Sequence, residues 1–186
     1  DFGASEVFAI CDHQVAHIYI KDPSKRSTIR QMLESMEGIA MIWEEPEKKA
    51  HGMNHDRAGD LVVFARDWAW FTYYYWEEDE RAPDFARCVD IHRKPGYDPV
   101  ELFIDPTLRW PRLKVAWRLL QKELGIRMLM DVIPLDASLV KGSHGTLPDE
   151  QVNYPLMLSS DPVFNGADRP LESTEIASLI ERFFVS

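Results

Sequence analysis

His144 lies in Gly142-Ser143-His144-Gly145, directly after the largely apolar stretch 135–140. Small flanking residues permit unusual backbone angles, which suits a side chain presented to a ligand at a strand end. An imidazole so placed can bind a divalent metal through one nitrogen; the alternative is a turn histidine in solvent. A second cluster is Asp12, His13 and His17, in Cys-Asp-His-Gln-Val-Ala-His. In extended chain His13 and His17 share one face, so they meet a common metal only if the strand bends; otherwise they are hydrogen-bonded histidines of a half-buried strand. A third group, His92, Arg93, Lys94 and Tyr97 between Asp90 and Asp98, precedes and follows a Pro-Gly turn. Its adjacent basic groups suit a phosphate or carboxylate, or a salt-bridged loop. His51, His55, Asp56, Arg57 and Asp60 read as polar loop and strand-entry residues.

The run Trp68 to Trp76 reads either as a strand covered on both faces or as a platform for stacking a ligand. No GxGxxG, phosphate-loop, GxSxG or HExxH motif occurs, so nucleotide-binding folds, α/β-hydrolases and zincins lack motif support.

The elements that must position these groups alternate in type. Glu6–Cys11 and Val15–Ile20 read as one long strand or two short ones interrupted at Asp12 to Gln14. Asp22-Pro23 starts a helix with Ile29, Met32, Leu33 and Met36 on one face, and Ile39–Trp43 is a further strand. Glu44–Ala50 is a short helix or turn, and Asp60–Ala65 a buried strand. Leu113, Ala116, Trp117, Leu120 and Leu124 share a helical face stopped by Gly125. Pro155–Leu158 reads as a strand, and Ile176, Leu179, Ile180, Phe183 and Phe184 form one side of a final helix. This pattern predicts an α/β fold, a sheet with flanking helices, with an inserted or cap-like irregular region at about residues 66–112.

The 186 residues are 45% hydrophobic and 28% charged, enough for a core without disulfide or structural metal. Lys plus Arg is 21 against 31 for Asp plus Glu, and a net charge of −10 disfavours a nucleic-acid backbone or an anionic membrane as partner. Cys11 and Cys88 form no CxxC pair, which excludes a cysteine-rich zinc module and favours a reducing compartment. No apolar run has the length of a membrane span, and no leader is visible, so a cytoplasmic, soluble chain is expected. The start at Asp1 suggests a piece of something longer.

The Gly142-Ser143-His144-Gly145 motif, followed by Pro155–Ser160 and the helix Thr174–Phe184, resembles the end of an alkaline-phosphatase superfamily domain of the type I phosphodiesterase/nucleotide pyrophosphatase kind. Ala9–Ile20, Trp70–Trp76 and Ala82–Phe103 resemble a bacterial subgroup described as alkaline phosphatase family proteins. The resemblance implies the C-terminal portion of a two-metal phosphoric-ester hydrolase, with zinc as the expected divalent metal and a small phosphate ester as substrate. It makes His144 alone a metal ligand; Asp12, His13 and His17 stand as further metal candidates, and His92, Arg93, Lys94 and Tyr97 as substrate-binding candidates, on their residue types and spacing. The family's nucleophile and its Ser-Asp-His-Gly motif lie upstream of the resembling region, in a missing N-terminal part, so this chain alone is expected to be inactive. Asp12-His13 has Cys11 and Gln14 where that motif has Ser and Gly, and the motif's role is not transferred to it. The competing function is a non-catalytic ligand-binding or protein-interaction module.

Overall fold

A computed structural model describes residues 5–89, 99–146, 154–160 and 169–185. The chain divides into two compact units, Asp1–Leu147 and Pro148–Ser186. The first has a mixed α/β fold built on strands β1 (Val7–Asp12), β2 (Val15–Ile20), β3 (Ile39–Trp43) and β4 (Leu61–Ala65). Their order is β1-β2-β4-β3, and each neighbouring pair is antiparallel. Because β2 and β3 both oppose β4, they run parallel to each other with β4 between them, joined by helix α1 (Arg26–Glu34). The expected strand-helix-strand unit is therefore present but split.

Burial follows the residue types. β4 is buried along its whole length, with Leu61, Val62 and Val63 at 0% exposure, as its unbroken apolar sequence requires. Ala16, Ile18 and Ile20 from β2 join Leu61 and Val63 from β4 under Ile29 and Leu33 of α1. Each Ile, Leu or Val among them contributes roughly 1.5–3 kcal/mol of transfer free energy when fully buried. Met32 and Met36, expected on the same face of α1, are exposed, and Met36 lies beyond the end of the helix. Asp22 caps the short 3₁₀ turn Pro23–Lys25 ahead of α1 by accepting from Ser24 N at 3.0 Å. On the other side of β4, Phe64 packs on Trp43, whose indole stacks on His51 at 4.4 Å. Helix α2 (Glu45–Ala50) opens with a capping box between Glu44 and Glu47.

Helix α3 (Pro111–Glu123) attaches through its polar side. Lys114 and Arg118, one turn apart, both bind Asp131, at 3.0 and 2.9 Å. The expected apolar face is consequently turned outward: Leu113, Trp117, Leu120 and Leu124 are exposed. Gly125 ends the helix at φ 70°, in the left-handed region a glycine adopts freely.

Three expected strands are absent. Residues 135–140 contain a 3₁₀ turn, Ala137–Leu139, capped by Asp136, which accepts from Ser138 N at 3.0 Å. Within this stretch only Leu135 is buried, next to buried Val132 and Ile133. Residues 68–76 form no strand, and neither do residues 155–159. In the second unit, helix α4 (Ile176–Val185) follows a 3₁₀ turn, Ser173–Glu175, whose capping box joins Glu172 and Glu175.

Candidate metal centre

β1 and β2 form a hairpin whose register, with Asp12 opposite Val15, leaves His13 and Gln14 as a two-residue turn. Tight hairpins fit the twist of their strands by placing central residues at positive φ, and His13 adopts φ 55°. That conformation is uncommon for a residue with a side chain and is enriched at functional sites. The chain does bend here, but the turn separates His13 from His17 instead of bringing the two to one metal. It places the Asp12 carboxylate and the His13 imidazole side by side, with Asp12 Oδ1 3.9 Å from His13 Nε2. His13 is largely enclosed, its side chain 12% exposed, whereas Asp12 is open to solvent.

The third group comes from far along the chain. The His144 loop lies on the hairpin turn, where Gln14 N donates to the His144 carbonyl at 2.9 Å. The two imidazole rings are 4.0 Å apart, centroid to centroid, at a 43° tilt. Of the flanking glycines, Gly145 is the one that matters. It has φ 120°, and a Cβ there would lie 3.1 Å from Val15 Cγ2 and 3.3 Å from Gln14 N, whereas a Cβ at Gly142 meets nothing within 4 Å. His144 is exposed, as expected for a ligand-facing side chain, but it does not follow a strand. The site lies at the end of an antiparallel sheet, where β1 turns into β2, so the rule placing ligands beyond the carboxyl ends of parallel strands does not account for it.

Asp12, His13 and His144 each offer a ligand atom, and these atoms lie within 4.8 Å of one another; no other group of three or more such side chains occurs among the described residues. One carboxylate and two imidazoles suit zinc and its neighbours, and three protein ligands leave a position open. Ligand atoms on a tetrahedral zinc sit about 3.4 Å apart for bonds of about 2.1 Å. The donor set therefore fits a divalent cation after small side-chain adjustments.

His17 stays outside this group. It faces the side of β2 covered by residues 51–59, and its Nδ1 accepts from Gly59 N at 3.1 Å. Burial, and secondarily the Lys48 ammonium, push its pKa below the ordinary histidine value. Lys48 is itself buried and donates to the Gly59 carbonyl at 2.9 Å. Tyr19 donates to the Arg57 carbonyl and His55 Nδ1 accepts from Arg57 N, so this loop is a structural cover. His92, Arg93, Lys94 and Tyr97, together with Asp90 and Asp98, lie outside the described residues. The aromatic run follows the hairpin turn: Phe71 N donates to the His13 carbonyl at 2.7 Å and Cys11 Sγ to the Thr72 carbonyl at 3.3 Å. Tyr74 stacks on Trp76, and Trp68 and Tyr75 are exposed.

No family model, curated protein or solved structure matches this chain. No helix among the described residues is long and apolar enough to cross a membrane. Sequence reasoning passed over one residue of the site. Gln14 is 6% exposed and hydrogen-bonded on every side, and its one visible signal was a long polar residue inside the break between two apolar strands.

Proposed function

We propose that the chain carries a divalent-metal site of a phosphoric-ester hydrolase, with Asp12, His13 and His144 as ligands. The observation that supports it is the convergence of these three side chains from segments at opposite ends of the first unit. The hydrolase part of the reading draws on the resemblance of Gly142-Ser143-His144-Gly145 to a metal-binding motif of phosphodiesterases. Proximity to His144 now argues for giving Asp12-His13 a ligand role despite Cys11 and Gln14 on either side. A divalent cation bound there supplies Lewis-acid stabilisation to the oxygens around phosphorus. Enclosed His13 fixes the inner wall, Asp12 brings the negative charge that offsets the cation, and exposed His144 marks the side from which a phosphate ester approaches. The trio supplies ligands and no nucleophile; on this reading a Ser or Thr outside it attacks phosphorus. A cytoplasmic location belongs to the same reading, supported by Cys11 and Cys88 being thiols and not a disulfide. The alternative, an interaction module, is favoured by the outward apolar face of α3.

Zinc and cobalt titration of the chain tests the metal. Wild type is expected to bind one ion per chain, and His144→Ala to lower affinity at least about tenfold while leaving the fold intact. Equal affinity in the variant overturns the assignment. For the hydrolase, cleavage of bis(4-nitrophenyl) phosphate by the natural full-length protein is expected to require metal and His144; undiminished cleavage by His144→Ala refutes it.

A further inference from the structure

We infer that Gln14 is the positioning residue of this site, holding the His13 turn and the His144 loop at ligand distance; the inference deepens the metal reading above and rests on it for its functional meaning. Gln14 ties together three segments. Its main-chain N–H donates to the His144 carbonyl at 2.9 Å, and its main-chain carbonyl accepts from Ala65 N at 2.9 Å. Its side-chain Nε2 donates to the carbonyls of Arg66 and Ala69, at 3.2 and 3.1 Å. Its Oε1 accepts from Thr146 Oγ1 at 3.2 Å, across a sequence separation of 132 residues. One buried amide therefore anchors the hairpin turn to the chain leaving β4 and holds the His144 loop on the opposite side.

A glycine at this position would keep the two main-chain bonds but none of the three side-chain bonds. The side chain thus adds one direct tie to the His144 loop, through Thr146, and two that hold the turn on the chain leaving β4. The amide suits the task because it offers two donors and an acceptor without charge, and a buried carboxylate could not donate to the Arg66 and Ala69 carbonyls. Gln14 does not itself belong to the ligand trio. It acts by setting where His13 and His144 stand.

The test compares wild type, Gln14→Leu, Thr146→Val and a remote control, Tyr19→Phe, which removes one exposed hydrogen bond to the Arg57 carbonyl. Thr146→Val deletes only the hydroxyl that meets Gln14 and keeps the side-chain shape, so it decides the matter if Gln14→Leu fails to fold. Two readouts are taken on the full chain: the NMR cross-peak between the His13 and His144 ring protons without metal, and Co²⁺ affinity with its visible absorption band. The expected result is a weakened cross-peak and about a fivefold loss of Co²⁺ affinity in Thr146→Val, the net worth of one hydrogen bond, with a melting temperature matching the control. Folded variants that keep both the cross-peak and the affinity overturn the inference. If wild type binds no Co²⁺ yet the cross-peak still depends on Thr146, the positioning role holds and the metal reading fails.

Discussion

Replacing Gly145 by alanine loads the His144 loop at its tightest point. The residue has φ 120°, and the new methyl would sit 3.1 Å from Val15 Cγ2 and 3.3 Å from Gln14 N, tighter than nine in ten real Cβ contacts. A side chain held at such a backbone angle costs of order 1–3 kcal/mol before any clash is added. Against this, the loop is fastened to the hairpin by the Gln14 N to His144 carbonyl bond and the Thr146 to Gln14 bond. Two such bonds hold about 2 kcal/mol between them. The strain matches or exceeds what restrains the loop, so the loop lets go and the sheet beneath it stays folded. Release caps the loss of global stability at about 2 kcal/mol, a drop in Tm of roughly 4–8 °C for a chain of this size. Metal affinity falls further in proportion, at least about tenfold, because one of three ligands is no longer held. Thermal unfolding by circular dichroism and Co²⁺ titration of the same sample measure both quantities. Wild-type Co²⁺ affinity in Gly145→Ala would refute the argument, and so would a Tm loss beyond about 15 °C, which would mean that the loop is part of the cooperative core.

Leu61→Ala, at the start of fully buried β4, is expected to cost about 3 kcal/mol in urea unfolding, and a loss under about 1 kcal/mol would contradict the placement of the core. His17 accepts a hydrogen bond and has a lowered pKa in the fold, so its folded form binds fewer protons than its unfolded form below the ordinary value of 6.5. Its contribution is present above 6.5 and lost as pH falls through the folded pKa; a His17→Gln variant should therefore show a shallower decline of stability below pH 6.5, and an identical profile would exclude His17 as a source of that decline. Glu175 is pushed down to about 2, first by the Arg169 guanidinium that binds it and then by Glu172 N. The start of α4 should hold as pH drops below 4.5 and loosen only towards 2, with the Glu172 amide resonance reporting the change; loosening already at pH 4.5 would be inconsistent with the pairing.

The strands that form are those whose sequence leaves one choice. Leu61–Ala65 is apolar throughout and bounded by polar residues, and the Asp12–Gln14 interruption fits a hairpin turn as soon as two short strands are read for one. Residues 135–140 look equally strand-like, yet they lie where neighbouring backbone is engaged elsewhere: Ile133 N already donates to the Arg87 carbonyl and Asp105 N to the Val132 carbonyl. Hydrophobicity forecast the burial of Leu135, but not the pairing partner that a strand also needs. For α3 the apolar stripe was legible and its direction was not, because the two charged pairs to Asp131 that turn it outward depend on a residue beyond the helix. The site shows the same division. The residue types of Asp12, His13 and His144 pointed to a metal, whereas their meeting depends on contacts spanning the first unit, which spacing in one sequence does not encode. His17 matched His13 in type and differs in fate because the turn separates them, leaving His17 to face Gly59 and Lys48.

The ligands of the trio are unevenly distributed along the chain: two are adjacent in a hairpin that can form from local sequence, and the third arrives with a loop whose tie to Gln14 spans 132 residues. An ion held by all three is consequently a cross-link as well as a chemical centre. Closing a loop of that length in the unfolded chain carries an entropic cost of roughly 5 kcal/mol by the estimate used for disulfides. The hairpin half of the site can assemble early in folding, while the complete coordination sphere exists only after the last long-range contact is made. Metal occupancy would therefore report whether the whole first unit has closed.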